Sequence, residues 1–241
     1  MKEYVLQVND LCKEYGSAMA LDHVSLSVPT GSIYGLIGEN GAGKTTLFRI
    51  LAGLSHQTSG VIALAGAKTE AEIIRQRRNI GFMIETPALY PHLSVLENLY
   101  LVQMQYSGKK NAESAKKTLE LTGLLKQGRK KAKHLSLGMK QRLALTTALL
   151  HNPEMLILDE PINGLDPIGI VAFRKLILKL NTDHHITIII SSHILNELEQ
   201  VATHYGFLHN GRMLKEISAS DILQSAGSLE QYYEKILEDG Q

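Results

Sequence analysis

The sequence predicts an α/β fold with a glycine-rich loop at the edge of a mixed β-sheet. The loop, residues 38–45, stands between an apolar strand pattern and a helical pattern. Two apolar, β-branched runs, residues 155–158 and 186–190, have the composition of buried parallel strands. Residues 86–150, which separate the loop from these runs, show mainly helical spacing. Strands and helices mixed in this order predict an α/β core with a helical subdomain.

The N-terminal region contains two short stretches in which apolar and polar residues alternate. Residues 5–8 and 24–28 have the period of two that is typical of strands with one buried face. The sequence Pro-Thr-Gly at 29–31 supplies a turn after the second stretch. These strands are expected to form an antiparallel β layer beside the main sheet.

Residues 38–45 match the phosphate-loop pattern G-x-x-x-x-G-K-[ST] at every position. Residues 32–37 predict a buried strand before the loop, and 46–54 predict a helix after it, with one apolar face formed by Leu47, Ile50, Leu51 and Leu54. In this context backbone N–H groups and the helix N-terminus attract phosphate. A chance glycine-rich turn would lack these flanking elements. The predicted nucleotide-binding residues are Gly38, Glu39, Asn40, Gly41, Ala42, Gly43, Lys44, Thr45 and Thr46.

Four side chains, two in the loop and two after the apolar run 155–158, are predicted to act in phosphate binding and hydrolysis. Lys44 would reach the β- and γ-phosphates, and the Thr45 hydroxyl would ligate Mg²⁺. Asp159 follows the apolar run 155–158, at the strand end where α/β sheets bind ligands, and is predicted to hold Mg²⁺. Glu160 would polarise the attacking water. A solvated turn is the alternative for the two acids, which a neighbouring phosphate loop disfavours.

The C-terminal third of the chain predicts a strand, a hairpin and a last helix. The β-branched run 186–190 is followed by Ser-Ser-His, which makes His193 a candidate beside the acids, although an isolated histidine is more often structural. Residues 183–185, Asp-His-His, could suggest a metal site, but a polar turn between helix and strand is favoured. Asn-Gly at 210–211 predicts a hairpin, and residues 228–237 predict a helix. In the middle region Ser94 and Glu97 form a capping box before the apolar run 96–104.

Composition indicates one domain in a reducing environment. The chain has 241 residues, a net charge of +1 and one cysteine, which argues against a strongly basic nucleic-acid binder and excludes an internal disulfide. No signal peptide is evident, and apolar runs fall short of the roughly 18 residues of a membrane helix. We predict a single domain over 1–241, with a core at 1–85 and 151–225, a helical subdomain at 86–150 and a C-terminal helix at 226–241.

The order of the motifs resembles the ATPase subunit of an ABC transporter. Between the loop and Asp159 lies the run 135–142, Leu-Ser-Leu-Gly-Met-Lys-Gln-Arg, which resembles the ABC signature. Residues 163–167 match the D-loop, and His193 occupies the place of the switch histidine that contacts the γ-phosphate. The resemblance implies ATP hydrolysis, ATP and Mg²⁺ as cofactors, and a P-loop NTPase fold: an ABC-type core, with a mixed sheet and an antiparallel β layer, plus a helical signature subdomain.

The resemblance also implies partners. In this family the signature Ser and Gly of one subunit bind the γ-phosphate held by the other, so Ser136 and Gly138 imply an ATP-dependent homodimer. Asp166 lies in the D-loop, which in this family runs along the same dimer interface. Tyr15 stands where an aromatic ring stacks on adenine, although an ordinary surface tyrosine is the alternative. A separate transmembrane permease is implied, with this subunit cytoplasmic and peripheral on the bacterial membrane, and no nucleic acid is expected.

Glu85 departs from the usual pattern, because most ABC ATPases carry Gln at this place. A Gln offers Mg²⁺ a neutral carbonyl, whereas Glu offers a charged acceptor and no donor. Together with the signature, Glu85 resembles the ATPases that protect lantibiotic producers, while bacitracin-resistance ATPases generally keep the Gln. We therefore assign Glu85 to the metal site with Thr45 and Asp159. Neutral drift within a generic exporter is the alternative.

Two other function classes and two basic stretches remain open at this point. A soluble ATPase acting on ribosomes or chromosomes would carry two ATPase units or a long coiled coil, and the 136 − 44 = 92 positions from Lys44 to Ser136 contain no heptad run. A soluble assembly ATPase would have no permease. The basic residues within 109–117 and 126–133 could meet anionic lipid or acidic permease loops, but a solvated surface is favoured.

Overall fold

Two β-sheets organise the computed structural model, which describes residues 3–85, 89–225 and 227–239. The smaller, antiparallel sheet contains β1 (Tyr4–Tyr15), β2 (Ala18–Pro29) and β4 (Ser59–Leu64) in the order β2-β1-β4. The larger sheet contains β3 (Ile33–Ile37), β5 (Ile80–Met83), β6 (Met155–Leu158), β7 (Thr187–Ser192), β8 (His204–His209) and β9 (Arg212–Ser218). The predicted α/β fold, a mixed sheet with an antiparallel β layer, is confirmed.

The order of the larger sheet, β5-β6-β7-β3-β8-β9, brings the functional loops to one edge. All neighbouring strands are parallel except β9, which is antiparallel to β8. Leu158 at the end of β6 lies opposite Met83 on one side and Ile190 on the other, and Ile37 lies opposite Ser192. The segments that follow β3, β6 and β7 therefore leave the sheet side by side.

β1 and β2 are longer than the two predicted stretches because bulges let the strands bend and continue. Their register shifts at several points between Tyr4 and Tyr15. Asp10 and His23 have left-handed backbone angles, with φ of 48° and 51°, where extended strand geometry is interrupted. Alternation of apolar and polar residues is lost at such points, so only the regular parts of each strand stand out in the sequence.

The helix after the glycine-rich loop is shorter than predicted. α1 spans Lys44–Leu51, and α2 (Glu70–Gln76) follows β4. The prediction that Leu54 continues the buried face was wrong, since Leu54 lies beyond the helix and is 71% exposed. Gly53, with φ of 76°, adopts the left-handed conformation that commonly terminates a helix, and so turns the chain before Leu54. Leu47, Ile50 and Leu51 are buried as expected.

The helical region has a hydrophobic core of its own. It contains α3 (Val95–Ser107), α4 (Ala112–Leu121) and α5 (Leu137–Leu149), whose buried faces share the cluster Val95, Leu99, Ala115, Leu119, Leu124, Leu135 and Leu143. The predicted capping box is present, because Ser94 N donates to Glu97 Oε2 at 2.7 Å and Glu97 N donates to Ser94 Oγ at 3.2 Å. Residues 86–88 of the predicted subdomain lie outside the described residues.

The remaining helices are α6 (Pro167–His184), α7 (Leu195–Glu199), α8 (Ala219–Ser225) and α9 (Leu229–Asp239). Asp183 and His184 form the end of α6 rather than a turn, and only His185 turns the chain, with φ of 55°. The predicted hairpin at Asn210 joins β8 to β9. Residues 226, 240 and 241 of the predicted last segment lie outside the described residues. No helix in the described ranges is long and apolar enough to cross a bilayer.

Candidate functional site

The loop at 38–45 connects β3 to α1 and is closely packed against two backbone carbonyls. A Cβ at Gly38 would lie 2.4 Å from the Leu208 carbonyl oxygen. At Gly43, where φ is 108°, a Cβ would lie 2.7 Å from the Ala20 carbonyl oxygen. Glycine is therefore required at both positions, by close approach and, at Gly43, also by the left-handed backbone. The loop leads directly into the N-terminus of α1, where unpaired N–H groups favour an anion.

Lys44 is held inside this loop by oxygen atoms. Only 5% of the side chain is exposed. Its Nζ donates to the carbonyl oxygen of Gly38 and, at 3.0 Å, to that of Glu39. Glu160 Oε1 lies 3.3 Å from the same nitrogen. A buried ammonium needs such partners, because an unpaired charge inside a protein is costly. Phosphate oxygens would offer it equivalent ligands.

Thr45 and Asp159 meet at the mouth of the loop. Thr45 Oγ1 donates to Asp159 Oδ2 at 2.7 Å, and Asp159 is 6% exposed. The other carboxylate oxygen, Oδ1, accepts a hydrogen bond from Ser191 Oγ at 2.7 Å. A hydroxyl beside a fixed carboxylate provides the oxygen ligands that Mg²⁺ takes. The donor set at Thr45 and Asp159 therefore fits this metal.

Glu160, which follows Asp159, contacts the candidate histidine, His193. His193 Nδ1 lies 2.9 Å from Glu160 Oε2, while the Glu160 N–H donates to Ser191 Oγ at 2.8 Å. The backbone of Glu160 has φ of 44°, which is uncommon for a residue other than glycine. Strained backbone angles persist where surrounding contacts fix them, often at functional sites. One carboxylate therefore contacts both Lys44 and His193.

A cavity of about 170 Å³ opens between these groups. The cavity is lined by the loop and the first residues of α1, by one residue of β2 and by Glu160. The lining residues are Ala20, Glu39, Asn40, Gly41, Gly43, Lys44, Thr45, Thr46 and Glu160. A larger cavity of about 640 Å³ lies between α4, α5 and α6, and its lining includes Leu149, Glu154 and Ile186. Glu154 directly precedes β6 and Ile186 directly precedes β7, so this cavity lies at the opposite edge of the sheet from Asp159. The larger cavity contains none of the predicted site residues, so the smaller one is the candidate site.

The signature residues lie outside this cavity. Ser136 is exposed and caps α5, where its Oγ accepts a hydrogen bond from Met139 N at 3.3 Å. The space beside Gly138 is open, since a Cβ there would meet only Leu165 Cδ2, at 3.7 Å. Asp166 is also exposed and caps α6 by accepting from Gly169 N at 3.1 Å. Within the described ranges, the side-chain hydrogen bonds of Ser136 and Asp166 are these helix caps, and both residues are exposed.

Tyr15 and Glu85 are not among the cavity-lining residues either. Tyr15, at the end of β1, is half exposed, with its hydroxyl 3.4 Å from Ser55 Oγ and Lys13 Nζ 4.7 Å from its ring centroid. The Glu85 carboxylate forms an ion pair with Arg49 in the last turn of α1. Within the described ranges it forms no hydrogen bond with Thr45 or Asp159.

Ser191 is the site residue that the sequence reading missed. It touches both Asp159 and Glu160 through one hydroxyl, and it is completely buried. The register of β6 and β7, in which Leu158 lies opposite Ile190, brings the next residue of each strand together. The available signal was a serine one position past the apolar run 186–190, since the neighbouring apolar run 155–158 is followed by Asp-Glu.

Comparison with known proteins gives consistent sequence matches. The model of the ABC transporter family matches residues 21–163. The bacitracin transport ATP-binding protein BcrA of Bacillus licheniformis is 47% identical over 216 residues, which cover 88% of this chain and 69% of the relative. The lantibiotic transport ATP-binding protein SrtF of Streptococcus pyogenes is 39% identical over 233 residues, which cover 96% and 99%.

Solved structures with the same fold include one described as the ATP-binding subunit of an ABC transporter. It has a TM-score of 0.83 and 31% identity, and the match covers 97% of this chain and 99% of that one. The dimeric ATP-binding cassette MJ0796, in a post-hydrolysis state with ADP and Pi, has a TM-score of 0.79 and 27% identity, with 89% and 98% covered. The similarity thus extends over nearly the whole chain.

Proposed function

Because this chain belongs to the ABC transporter family and hydrolyses ATP, we propose that it is the motor subunit of an exporter that protects a bacterium from lantibiotic-type peptides. The observation that carries the proposal is the similarity to a lantibiotic transport ATP-binding protein over 96% of this chain and 99% of the relative. Glu85, in a position where the related bacitracin ATPases are expected to carry Gln, supports the same substrate class.

Bacitracin export is the second candidate. It is favoured by sequence identity, which reaches 47% with the bacitracin relative against 39% with the lantibiotic relative. The bacitracin protein is longer, since the match covers 69% of its length. Both candidates share one mechanism in this subunit, and they differ in the molecule that a permease would select.

In the proposed mechanism the loop binds the phosphates of ATP. Lys44 exchanges its carbonyl and Glu160 partners for phosphate oxygens, which accept hydrogen bonds from its ammonium. Thr45 and Asp159 would hold Mg²⁺, which neutralises charge on the β- and γ-phosphates. Glu85 is assigned to the same metal, and Tyr15 to the adenine ring. The hydrogen bond between Thr45 and Asp159 keeps the two ligands adjacent before nucleotide arrives.

Hydrolysis then depends on Glu160 and His193. Phosphoryl transfer passes through a loose transition state, so positioning and charge stabilisation supply most of the rate. Glu160 orients the attacking water through its carboxylate, while Ser191 fixes its backbone N–H. His193, 2.9 Å from that carboxylate, is placed to link it to the γ-phosphate. Departure of Lys44 towards the phosphates would free one oxygen of Glu160 for the water.

The exposed signature is proposed to complete a second copy's site. Ser136 and Gly138 would contact the γ-phosphate bound by the partner, with Asp166 along the seam, to form an ATP-dependent homodimer. A separate permease would receive the motion through the region around 85–101, of which residues 86–88 lie outside the described part. The subunit would then be peripheral on the cytoplasmic face of the membrane, as one domain with the core, helical and C-terminal parts predicted above, and with no nucleic-acid partner.

Survival assays test the proposal and separate its two candidate substrates. The subunit is expressed with its permease in a sensitive bacterium, which is challenged with a lantibiotic and, separately, with bacitracin. We expect protection against the lantibiotic that is lost in Lys44→Ala and kept in Lys175→Ala, a change to an exposed lysine of α6. Protection against bacitracin alone would favour the second candidate. Protection against neither, with an assembled and hydrolysing complex, would contradict peptide export.

A further inference from the structure

Arg49 and Glu85 form an ion pair that the motifs do not account for. Arg49 stands in the last turn of α1, where the helix dipole favours a cation, and its Nη2 donates to Glu85 Oε1. The two side chains are 43% and 49% exposed. The carboxylate assigned to the metal thus has a cationic partner within the chain, Arg49.

The pair lies close to the predicted metal ligands. Thr45 and Arg49 are four residues apart on α1, so they lie on the same face with Cβ atoms about 5–6 Å apart. Met83 stands two residues before Glu85. Its carbonyl oxygen accepts a hydrogen bond from Asp159 N at 2.7 Å. The segment that carries Glu85 is therefore tied to one metal ligand, while its carboxylate is paired with an arginine that stands one helical turn after the other.

The energetics suit an exchange of partners. Half-exposed ion pairs contribute little to stability, because water screens the charges and both side chains lose freedom. A divalent cation at Thr45 and Asp159 would attract the same carboxylate with twice the charge of Arg49. The Glu85 backbone has φ of 62°, which surrounding contacts must hold, so rotation of the side chain is the simple way to change partner.

Building on the Mg²⁺-dependent function proposed above, we propose that Arg49 is a positioning residue that competes with Mg²⁺ for the Glu85 carboxylate. In the ion pair of the structure, Arg49 holds the Glu85 carboxylate, which forms no hydrogen bond with Thr45 or Asp159 within the described ranges. When Mg²⁺ binds with ATP, the carboxylate leaves Arg49 and turns towards Thr45 and Asp159. A neutral Gln would be attracted weakly by both cations, so the exchange is a property of Glu at this position.

A double-mutant cycle on metal affinity tests this competition without relying on hydrolysis. Binding of Mn²⁺ is measured by electron paramagnetic resonance in the presence of a non-hydrolysable ATP analogue. Arg49→Met should tighten Mn²⁺ binding by about two- to fivefold, the equivalent of a half-exposed ion pair. In the Glu85→Gln background the same Arg49→Met change should have no effect, since no carboxylate is released. Arg49→Lys, which keeps the charge, should behave like the wild type.

The controls separate competition from other roles of Arg49. Arg78→Met removes an exposed arginine from the turn after α2 and should leave Mn²⁺ affinity unchanged. If Arg49→Met tightens binding equally in the Glu85→Gln background, its charge acts at a distance and the proposal is overturned. Weaker binding together with a lower melting temperature would show that Arg49 only stabilises α1. Failure of the wild-type protein to bind Mn²⁺ with nucleotide would instead contradict the proposed function itself.

Discussion

Two regions of the molecule differ in the partners of their polar side chains. The loop half comprises the glycine-rich loop 38–45 with residues 159–160 and 191–193, and the signature half comprises the helical region 94–149 with the D-loop 163–167. Lys44 and Asp159 are almost completely buried, and each contacts other residues of the proposed site in the same chain. Ser136 and Asp166 are exposed, and each caps a helix by accepting a hydrogen bond from the backbone N–H three positions along. The polar groups of one half are held by contacts within the chain, whereas those of the other half are exposed.

This difference indicates how a site can be divided between two copies. Buried charged groups must be paired, so the loop half has to satisfy its ammonium and carboxylates internally. An exposed cap can exchange its local bond for a phosphate at little cost, because water already competes for it. We expect mutations in the loop half to change the chemistry of each chain's own site, and mutations in the signature half to change ATP hydrolysis only when two chains meet.

The largest effect is expected for Glu160→Gln in the loop half. Loss of the water-orienting carboxylate should lower hydrolysis by about 10²–10⁴-fold, as removal of a general base does. ATP binding should persist, because the change leaves the glycine-rich loop and Lys44, the proposed phosphate contacts, in place. Hydrolysis is measured by phosphate release, and binding by equilibrium dialysis.

The same variant tests the dimer. With hydrolysis blocked, Mg-ATP should keep two copies together, and size-exclusion chromatography should show a dimer that disappears when ATP is removed. Glu154→Gln, an acid at the opposite edge of the sheet, provides a control that should hydrolyse ATP at the wild-type rate. A monomeric Glu160→Gln protein with wild-type turnover would remove both the catalytic assignment and the reason to divide the site between chains.

Ser191→Ala should have an intermediate effect on ATP hydrolysis. It would show how strongly turnover depends on the hydrogen bonds that hold Asp159 and Glu160 in place. The change removes the donor to Asp159 and the acceptor for the Glu160 N–H, and we expect about a tenfold loss of turnover, the equivalent of one buried hydrogen bond. Ser192→Ala is the matched control, because Ser192 is equally buried but accepts from Ile194 N instead. Equal losses in both variants would assign the effect to packing rather than to the acids.

The fold was largely predictable because its elements carry strong local signals. Apolar runs at β3, β6 and β7 are buried throughout, so composition alone identifies them as central strands. The bulges of β1 and the end of α1 at Gly53 were not predicted, since they depend on backbone angles that only the folded chain fixes. Leu54 illustrates the limit, because helical spacing continues in the sequence after the helix has ended.

Residues of the candidate site could be predicted where each belongs to a local motif, and not where a residue is identified only by its contact with a distant segment. Lys44, Thr45 and Asp159 follow from local patterns, and the structure brings them together. Ser191 contacts the acids only through the register of β6 and β7, and Arg49 meets Glu85 only because α1 packs beside the segment after β5. The assigned roles of all these residues stay predictions, and Glu85 and Tyr15 in addition make no contact with the loop within the described ranges.

The smallest expected effect compares two serines that cap neighbouring helices of the signature half. Ser94 and Ser136 each accept a backbone N–H three residues ahead, at 3.2 and 3.3 Å. Each serine-to-alanine change should therefore lower the free energy of unfolding by about 1 kcal/mol, measured by urea denaturation of the monomer. The two variants should differ in ATPase activity when it is measured at protein concentrations at which dimers form. Ser136→Ala should lose activity because its hydroxyl is proposed to contact the partner's γ-phosphate, whereas Ser94→Ala should keep it. If both variants keep full activity at equal loss of stability, Ser136 is a helix cap alone, and the signature half has no role in binding ATP through this residue.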